Sequence, residues 1–376
     1  MEITDTGILC SGIKEGKLGL ALAKCSGNVA GLFTKNSIKA APVRICEENI
    51  ADGKIEGLIV NSGNANAFTG EKGLEDAMEM CKIAAELLKC NTKDIAIAST
   101  GVIGRKLDME WIRKKAVEVY HDLGNSKQHA DKFGKAIMTT DKFLKKAHSE
   151  KAKISAVAKG AGMIAPNLAT MLCFIFTTAK FDSGELYEML KTAAENSFNR
   201  LTVDGDTSTN DTVLLISTCK DKVDRDMFSE ELTKVCRSLA YQIARDGEGA
   251  TRVFTVRVMG AEDDEIAARI AKAVASSLLV KTAIFGRDPN WGRIVAAVGY
   301  TANVDEKISI SFLANSEVTL VDRGIILGNE EKAKKLMEEN EEFEILIDLH
   351  RGTGEGFAIG CDLSHDYVKL NSAYTT

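Results

Sequence analysis

Two hydrophobic periods alternate along this sequence, and together they leave room for few architectures. Leu74, Ala77, Met78, Cys81, Ala84, Ala85 and Leu88 recur at three- and four-residue steps, which predicts an amphipathic helix over residues 74–88. The apolar run at 95–98 reads as a short strand that stops at Ser99-Thr100-Gly101, and 109–123 as a helix closed by Gly124. Leu232, Val235, Cys236, Leu239 and Ile243 mark a third helix with Gly247 as its stop, and residues 266–279 and 330–339 supply two more. Runs rich in Ile, Val, Leu or Phe predict strands at 57–60, 171–176, 213–217, 254–258, 308–312 and 343–349. Helices interleaved with strands, without an internal repeat, give an α/β or α+β fold of layered sheets and helices. A chain of 376 residues, 45% hydrophobic, suits two lobes with a full apolar core.

Charge and composition remove several functions. The net charge is −6, Lys and Arg are mixed with Asp and Glu, and aromatics make up 6%, so neither a nucleic-acid surface nor a base-stacking platform is expected. No 18 apolar residues run together, so no membrane span is expected. The start, with Glu2, Asp5 and Gly7, lacks the layout of a secretory signal, which points to the cytoplasm. The nine cysteines are scattered, odd in number and without a C-x-x-C pair, and read as reduced and buried. The histidines are isolated from one another, so no metal site is expected.

Residues 159–176, KGAGMIAPNLATMLCFIF, pass from glycines into an apolar strand that should begin near Thr170. Three readings compete for this segment. One is a plain connection into a core strand, with a β-branched threonine in a place that suits it. Another is a dinucleotide loop, since Gly160, Gly162 and Ala165 fit G-x-G-x-x-[GA]; that loop needs a helix to open within it, and here Pro166 and a strand follow instead. The third is self-cleavage. The Thr170 hydroxyl attacks the carbonyl of Ala169, the chain shifts from N to O, and water completes the break. Thr170 then carries a free α-amine, with a reference pKa of about 7.7–8.0, to serve as base for its own hydroxyl.

Resemblance decides among them. AKGAGMIAPNLATML resembles the self-cleavage site of the ornithine acetyltransferase family, the glutamate N-acetyltransferases of arginine biosynthesis. The same family's pattern is found in LFTKNSIKAAPV (32–43), VNSGNANAFTG (60–70), ASTGVIGR (98–105), IMTTD (137–141), DGDTSTNDT (204–212), DGEGAT (246–251), VKTAIFGRDPNWGR (280–293) and YVKLNSAYTT (367–376). The likeness therefore spans essentially the whole chain. It implies a fold of the ArgJ/DmpA-like self-processing type, cut between Ala169 and Thr170 into an α chain, 1–169, and a β chain, 170–376, that assemble as α2β2.

The activity it implies moves acetyl from N2-acetylornithine to Thr170 and then to glutamate, a ping-pong acyltransferase that needs no cofactor. Acetyl-CoA as a second donor is left open. The family's oxyanion hole falls on Thr100 and Gly101, and its substrate contacts on Thr139, Lys159, Thr170, Glu248, Asn371 and Thr376. Thr140 stands as the alternative to Thr139. Asn61, Asn64 and Asn66 read as a polar turn built from Asx-turns, and DGDTSTNDT as a hydrogen-bonded loop, since it lacks the twelfth-position Glu of a calcium loop. A second class with the same kind of nucleophile, an aminopeptidase or amidase that passes its acyl group to water, is the runner-up.

Overall fold

A computed structural model describes residues 1–165 and 171–373. The chain divides into two compact units: Met1–Asn199 with Asp206–Leu239, and Arg200–Gly205 with Ala240–Tyr374. Thus 169/170 is not the boundary between units; it falls within the first.

The first unit lays down strands β1 (Leu9–Glu15), β2 (Leu18–Phe33), β3 (Lys54–Asn64), β4 (Ile95–Val102), β5 (Lys145–Ser149), β6 (Ile154–Lys159) and β7 (Leu172–Ala179). After β8 (Leu201–Thr202), which belongs to the second unit, it adds β9 (Thr212–Asp221). The order in the sheet is β4-β3-β2-β9-β7-β6-β5, with β1 beside the first half of β2. Helices α1 (Ala41–Asn49), α2 (Gly70–Leu88), α3 (Met109–His121), α4 (Lys127–Ile137) and α5 (Ser183–Glu195) surround it. Strands β4, β6 and β7 are buried along nearly their whole length, as expected of strands covered on both faces, and β7 opens on the continuous apolar run Leu172–Phe176. Phe133 on α4 packs edge-on against Phe174 and Phe176 of β7, with centroids 6.0 and 6.5 Å away.

The second sheet runs β13-β12-β11-β14-β10-β15-β8. Its further strands are β10 (Val253–Ala261), β11 (Ser309–Leu313), β12 (Glu317–Asp322), β13 (Ile325–Ile326), β14 (Glu342–Asp348) and β15 (Gly354–Cys361). Helix α6 (Arg225–Arg245) leads from the first unit into the second. Then come α7 (Asp264–Ser276), α8 (Leu278–Phe285), α9 (Trp291–Thr301), α10 (Glu330–Glu339) and α11 (His365–Ala373). Asp263 caps α7 by accepting the Ile266 amide at 2.7 Å, and Ser277 caps α8.

The expected fold class is thus observed, with corrections at element ends. The strand at 95 does not stop at Ser99-Thr100-Gly101 but carries all three residues inside β4. The helix from Met109 ends at His121, while Gly124 pairs with Cys10 across an isolated bridge. Ser277 divides the single helix expected over 266–279 into α7 and α8. The apolar strand begins at Leu172, close to Thr170 as expected, and runs on to Ala179. All nine cysteines are free, and seven are buried. Among the described residues, no helix is long and apolar enough to cross a membrane.

Candidate active site

Lys159 closes β6, and its Nζ donates to the Thr100 hydroxyl oxygen on β4 at 2.9 Å. Four strands separate β6 from β4 in hydrogen-bonding order, so a flat sheet would hold them about 24 Å apart. The sheet is therefore strongly curled, and its curl brings the strand before the glycine loop onto the Thr100-Gly101 pair. Both Lys159 and Thr100 are only 8% exposed, so Lys159 is not a solvated loop lysine.

Gly101 shows why a glycine stands there. It has φ +135° and lies opposite Gly63 on β3, where an added Cβ would sit 2.3 Å from the Gly63 carbonyl carbon and 2.4 Å from the Asn64 nitrogen. Gly101→Ala is expected to force β3 and β4 apart, costing roughly 2–4 kcal/mol of stability in thermal unfolding. The loop that follows β3 is built as the asparagines foretold. Asn61 Nδ2 donates to the Asn64 carbonyl at 2.8 Å, and the Asn61 amide oxygen accepts from Ser99. Asn64 Oδ1 accepts the Asn66 amide at 2.8 Å, and Asn66 Nδ2 donates to the Gly73 carbonyl at 2.8 Å. These residues organise the turn.

The loop before β9 braces the same end of the sheet. Asn210 Nδ2 donates to the carbonyls of Ala65 at 2.6 Å and Ser99 at 2.9 Å, and Thr207 Oγ1 donates to the Ala165 carbonyl at 2.9 Å. The expected hydrogen-bonded loop is thus observed from Asp206 onward. In the segment after Lys159, no helix opens among the described residues, which removes the dinucleotide loop.

A charged cluster that the sequence did not announce lies behind Lys159. Asp141 Oδ1 accepts from the Gly160 amide and from Lys145 Nζ, both at 2.7 Å, and Oδ2 accepts the Thr139 amide at 2.8 Å. The Asp141 and Lys145 side chains are fully buried. Burial alone would raise the Asp141 pKa, but the positive charges of Lys159 and Lys145 prevail and hold it at about 2. Lys14 donates to the Met138 carbonyl at 2.5 Å and to Ser62 Oγ at 2.8 Å. Burial, and then repulsion from Lys159, lower its pKa to about 8. Asp211 is buried too, and desolvation raises its carboxyl pKa well above normal against the pull of Lys159. Thr139 is therefore placed through its backbone, while Thr140 makes no such bond to Asp141.

In the second unit, Asn371 on α11 donates to Glu248 Oε2 at 2.9 Å. The neighbouring Gly249 has φ +71°, and a Cβ there would meet the Tyr367 amide nitrogen at 2.3 Å, so the glycine lets α11 rest against the turn. Asn371, on the C-terminal helix α11, and Glu248, in the turn after α6, are thus brought together. Ala169, Thr170 and Thr376 lie outside the described residues. Among the described residues no three His, Cys, Asp or Glu side chains gather as a metal site.

The class of protein to which the chain belongs is that of the acyltransferases. Comparison with known proteins narrows the class. The ArgJ family matches residues 5–376. The arginine biosynthesis bifunctional protein ArgJ of Archaeoglobus fulgidus is 68% identical, with 100% of both chains covered. The glutamate N-acetyltransferase of Methanosarcina mazei is 47% identical over 98% of this chain and 97% of its own. Among solved structures, the bifunctional protein argJ of Bacillus halodurans aligns with a TM-score of 0.51 and 40% identity, covering 54% of this chain and 98% of its own. The chain belongs to the ArgJ family.

Proposed function

We propose that this chain is a glutamate N-acetyltransferase that cuts itself between Ala169 and Thr170 and carries acetyl on Thr170 from N2-acetylornithine to glutamate. The observation that carries the chemistry is the buried bond from Lys159 to Thr100, which sets a hydroxyl donor and a cation at the end of the strand leading to the cut. Attack on the acetyl carbonyl moves a π pair onto oxygen, and Thr100 with Gly101 are assigned to donate hydrogen bonds to that oxygen. Lys159, Thr139, Glu248, Asn371 and Thr376 are assigned to the substrate. The exchange of one acetyl amide for another is nearly balanced, so it requires no ATP or redox group.

The topology supports two associated products. Residues 1–169 supply β1 to β6, yet β9 and β7 are inserted between β2 and β6. A cut between β6 and β7 leaves the β2–β9 and β6–β7 ladders unbroken, each pairing six residues. The Bacillus halodurans chain matches 54% of this one with nearly its full length, close to the share that residues 170–376 make up. An α2β2 assembly in the cytoplasm follows from the same reading. The relative at 68% identity is named bifunctional, which favours a second activity here, acetyl-CoA being the additional donor that the resemblance implies.

Intact-mass measurement with and without N2-acetylornithine tests the reading. Two pieces, with an acetyl adduct on the one that begins at Thr170, are expected, and glutamate should discharge the adduct as N-acetylglutamate. Release of free acetate in place of N-acetylglutamate would transfer the assignment to the amidase class.

A further inference from the structure

Thr100 occupies an unusual position for a buried hydroxyl. Its oxygen accepts the Lys159 ammonium at 2.9 Å, and among the described residues its O–H meets no acceptor. A threonine hydroxyl has one proton and two lone pairs. With one lone pair taken by a cation, the proton must point elsewhere, and the cation draws electron density from the oxygen and strengthens the O–H as a donor. The surroundings fix this arrangement rather than merely permit it. Thr100 lies within β4, one residue before the glycine packed on β3, and its strand pairs Thr100 with Ser62. Lys159 is set by the β6–β7 ladder, where it pairs with Leu172, and by Asp141, which holds the next residue's amide.

We propose that Lys159 acts on acyl transfer through Thr100, as a positioning residue whose ammonium orients and polarises the Thr100 hydroxyl toward the acyl oxygen. The proposal rests on the acetyl-Thr170 reading and extends it. As the Thr170 oxygen bonds to the acetyl carbon, the carbonyl π pair moves to oxygen, and the Thr100 O–H donates a hydrogen bond to it without giving up its proton. The nucleophile's proton passes to the Thr170 α-amine and from there to the departing nitrogen as the C–N bond breaks. This role is additional to the substrate contact assigned to Lys159 above, which by itself would show in KM alone.

A double-mutant cycle on the intact enzyme separates the two roles, using single-turnover formation of the acetyl adduct, counted per cut chain by mass. Thr100→Val should slow acylation by about 10²–10³-fold, and Thr100→Ser should stay within about tenfold of wild type because it keeps the hydroxyl. Lys159→Met should also slow acylation, and Lys159→Arg, which retains a cationic donor, should recover part of the loss and serves as the second variant if Lys159→Met is poorly cut. The pair Lys159→Met with Thr100→Val should be no slower than Thr100→Val alone by more than about threefold. The carbonyl stretch of a carbon-13 acetyl-enzyme should rise in frequency in either single variant, with no further rise in the pair. Losses that multiply in the pair, or a stretch unmoved by Lys159→Met, overturn the proposal. A wild-type enzyme that transfers acetyl with no adduct overturns the acetyl-Thr170 reading itself and this proposal with it.

Discussion

Thr170→Ala is expected to yield a single uncut chain of 40.6 kDa that takes no acetyl from N2-acetylornithine. Alanine has no hydroxyl to attack the carbonyl of residue 169, so the N-to-O shift cannot start. The same absent oxygen is the one assigned to carry acetyl, so cleavage and transfer should vanish together. Loss of a covalent nucleophile in a site of this kind lowers turnover by about 10⁴-fold or more. Thr170→Ser is the informative companion, because a serine hydroxyl can perform both steps and should retain partial cutting and partial transfer. Denaturing gels and intact mass read both variants. A Thr170→Ala chain that is still split at 169/170 would remove the nucleophile assignment, and one that stays whole yet acetylates glutamate would remove the need for a cut.

The elements that were legible in the sequence are those whose physics is local. Helix α2 shows its apolar stripe in residues 74–88, and the structure adds only a first turn from Gly70. Strands buried on both faces, such as β7 and β9, show unbroken apolar runs. The 16-residue strand β2 was not legible, because LGLALAKCSGNVAGLF contains a single β-branched residue and many small ones. Its pairing with β1, β3 and β9 comes from position within the sheet rather than from propensity. β15 was hidden for a related reason. Added Cβ atoms at Gly354 and Gly356 would sit 2.3 Å from the backbone of Asp263 and Ala268, so bare glycines let the strand approach the start of α7.

The site was legible only in part. Thr100, Gly101 and Lys159 could be named, and the structure joins Lys159 to Thr100. The curl of the sheet that makes the contact is a long-range property with no local signature. Lys14, Lys145 and Asp141 escaped notice because each looks like an ordinary surface charge in sequence. Only the fold shows that Asp141 ties the Thr139 amide to the Gly160 amide.

That hub makes Asp141→Ala the second large prediction. The side chains of Asp141 and Lys145 are both fully buried and 2.7 Å apart, and Lys159 and Lys14 add positive charge nearby. Removing the carboxylate takes away the counter-charge that lies 2.7 Å from the buried Lys145 ammonium and the acceptor of the Thr139 and Gly160 amides. Breaking such a pair costs roughly 3–5 kcal/mol, and for a unit of this size the melting temperature should fall on the order of 10 °C. Asp141→Asn, which retains an acceptor but not the charge, should lose less. The wild-type pH dependence follows in sign. The folded-state pKa is depressed from 3.8 to about 2, so this contribution is complete above the unfolded-chain value and is lost as the pH falls through about 2. Melts of wild type and Asp141→Asn recorded from pH 6 downward should converge at low pH, since protonation strips the wild type of the charge that the variant already lacks. Parallel melting curves across that range, with the gap between them unchanged, would show that the carboxylate is not what holds Thr139, Gly160 and Lys145 together.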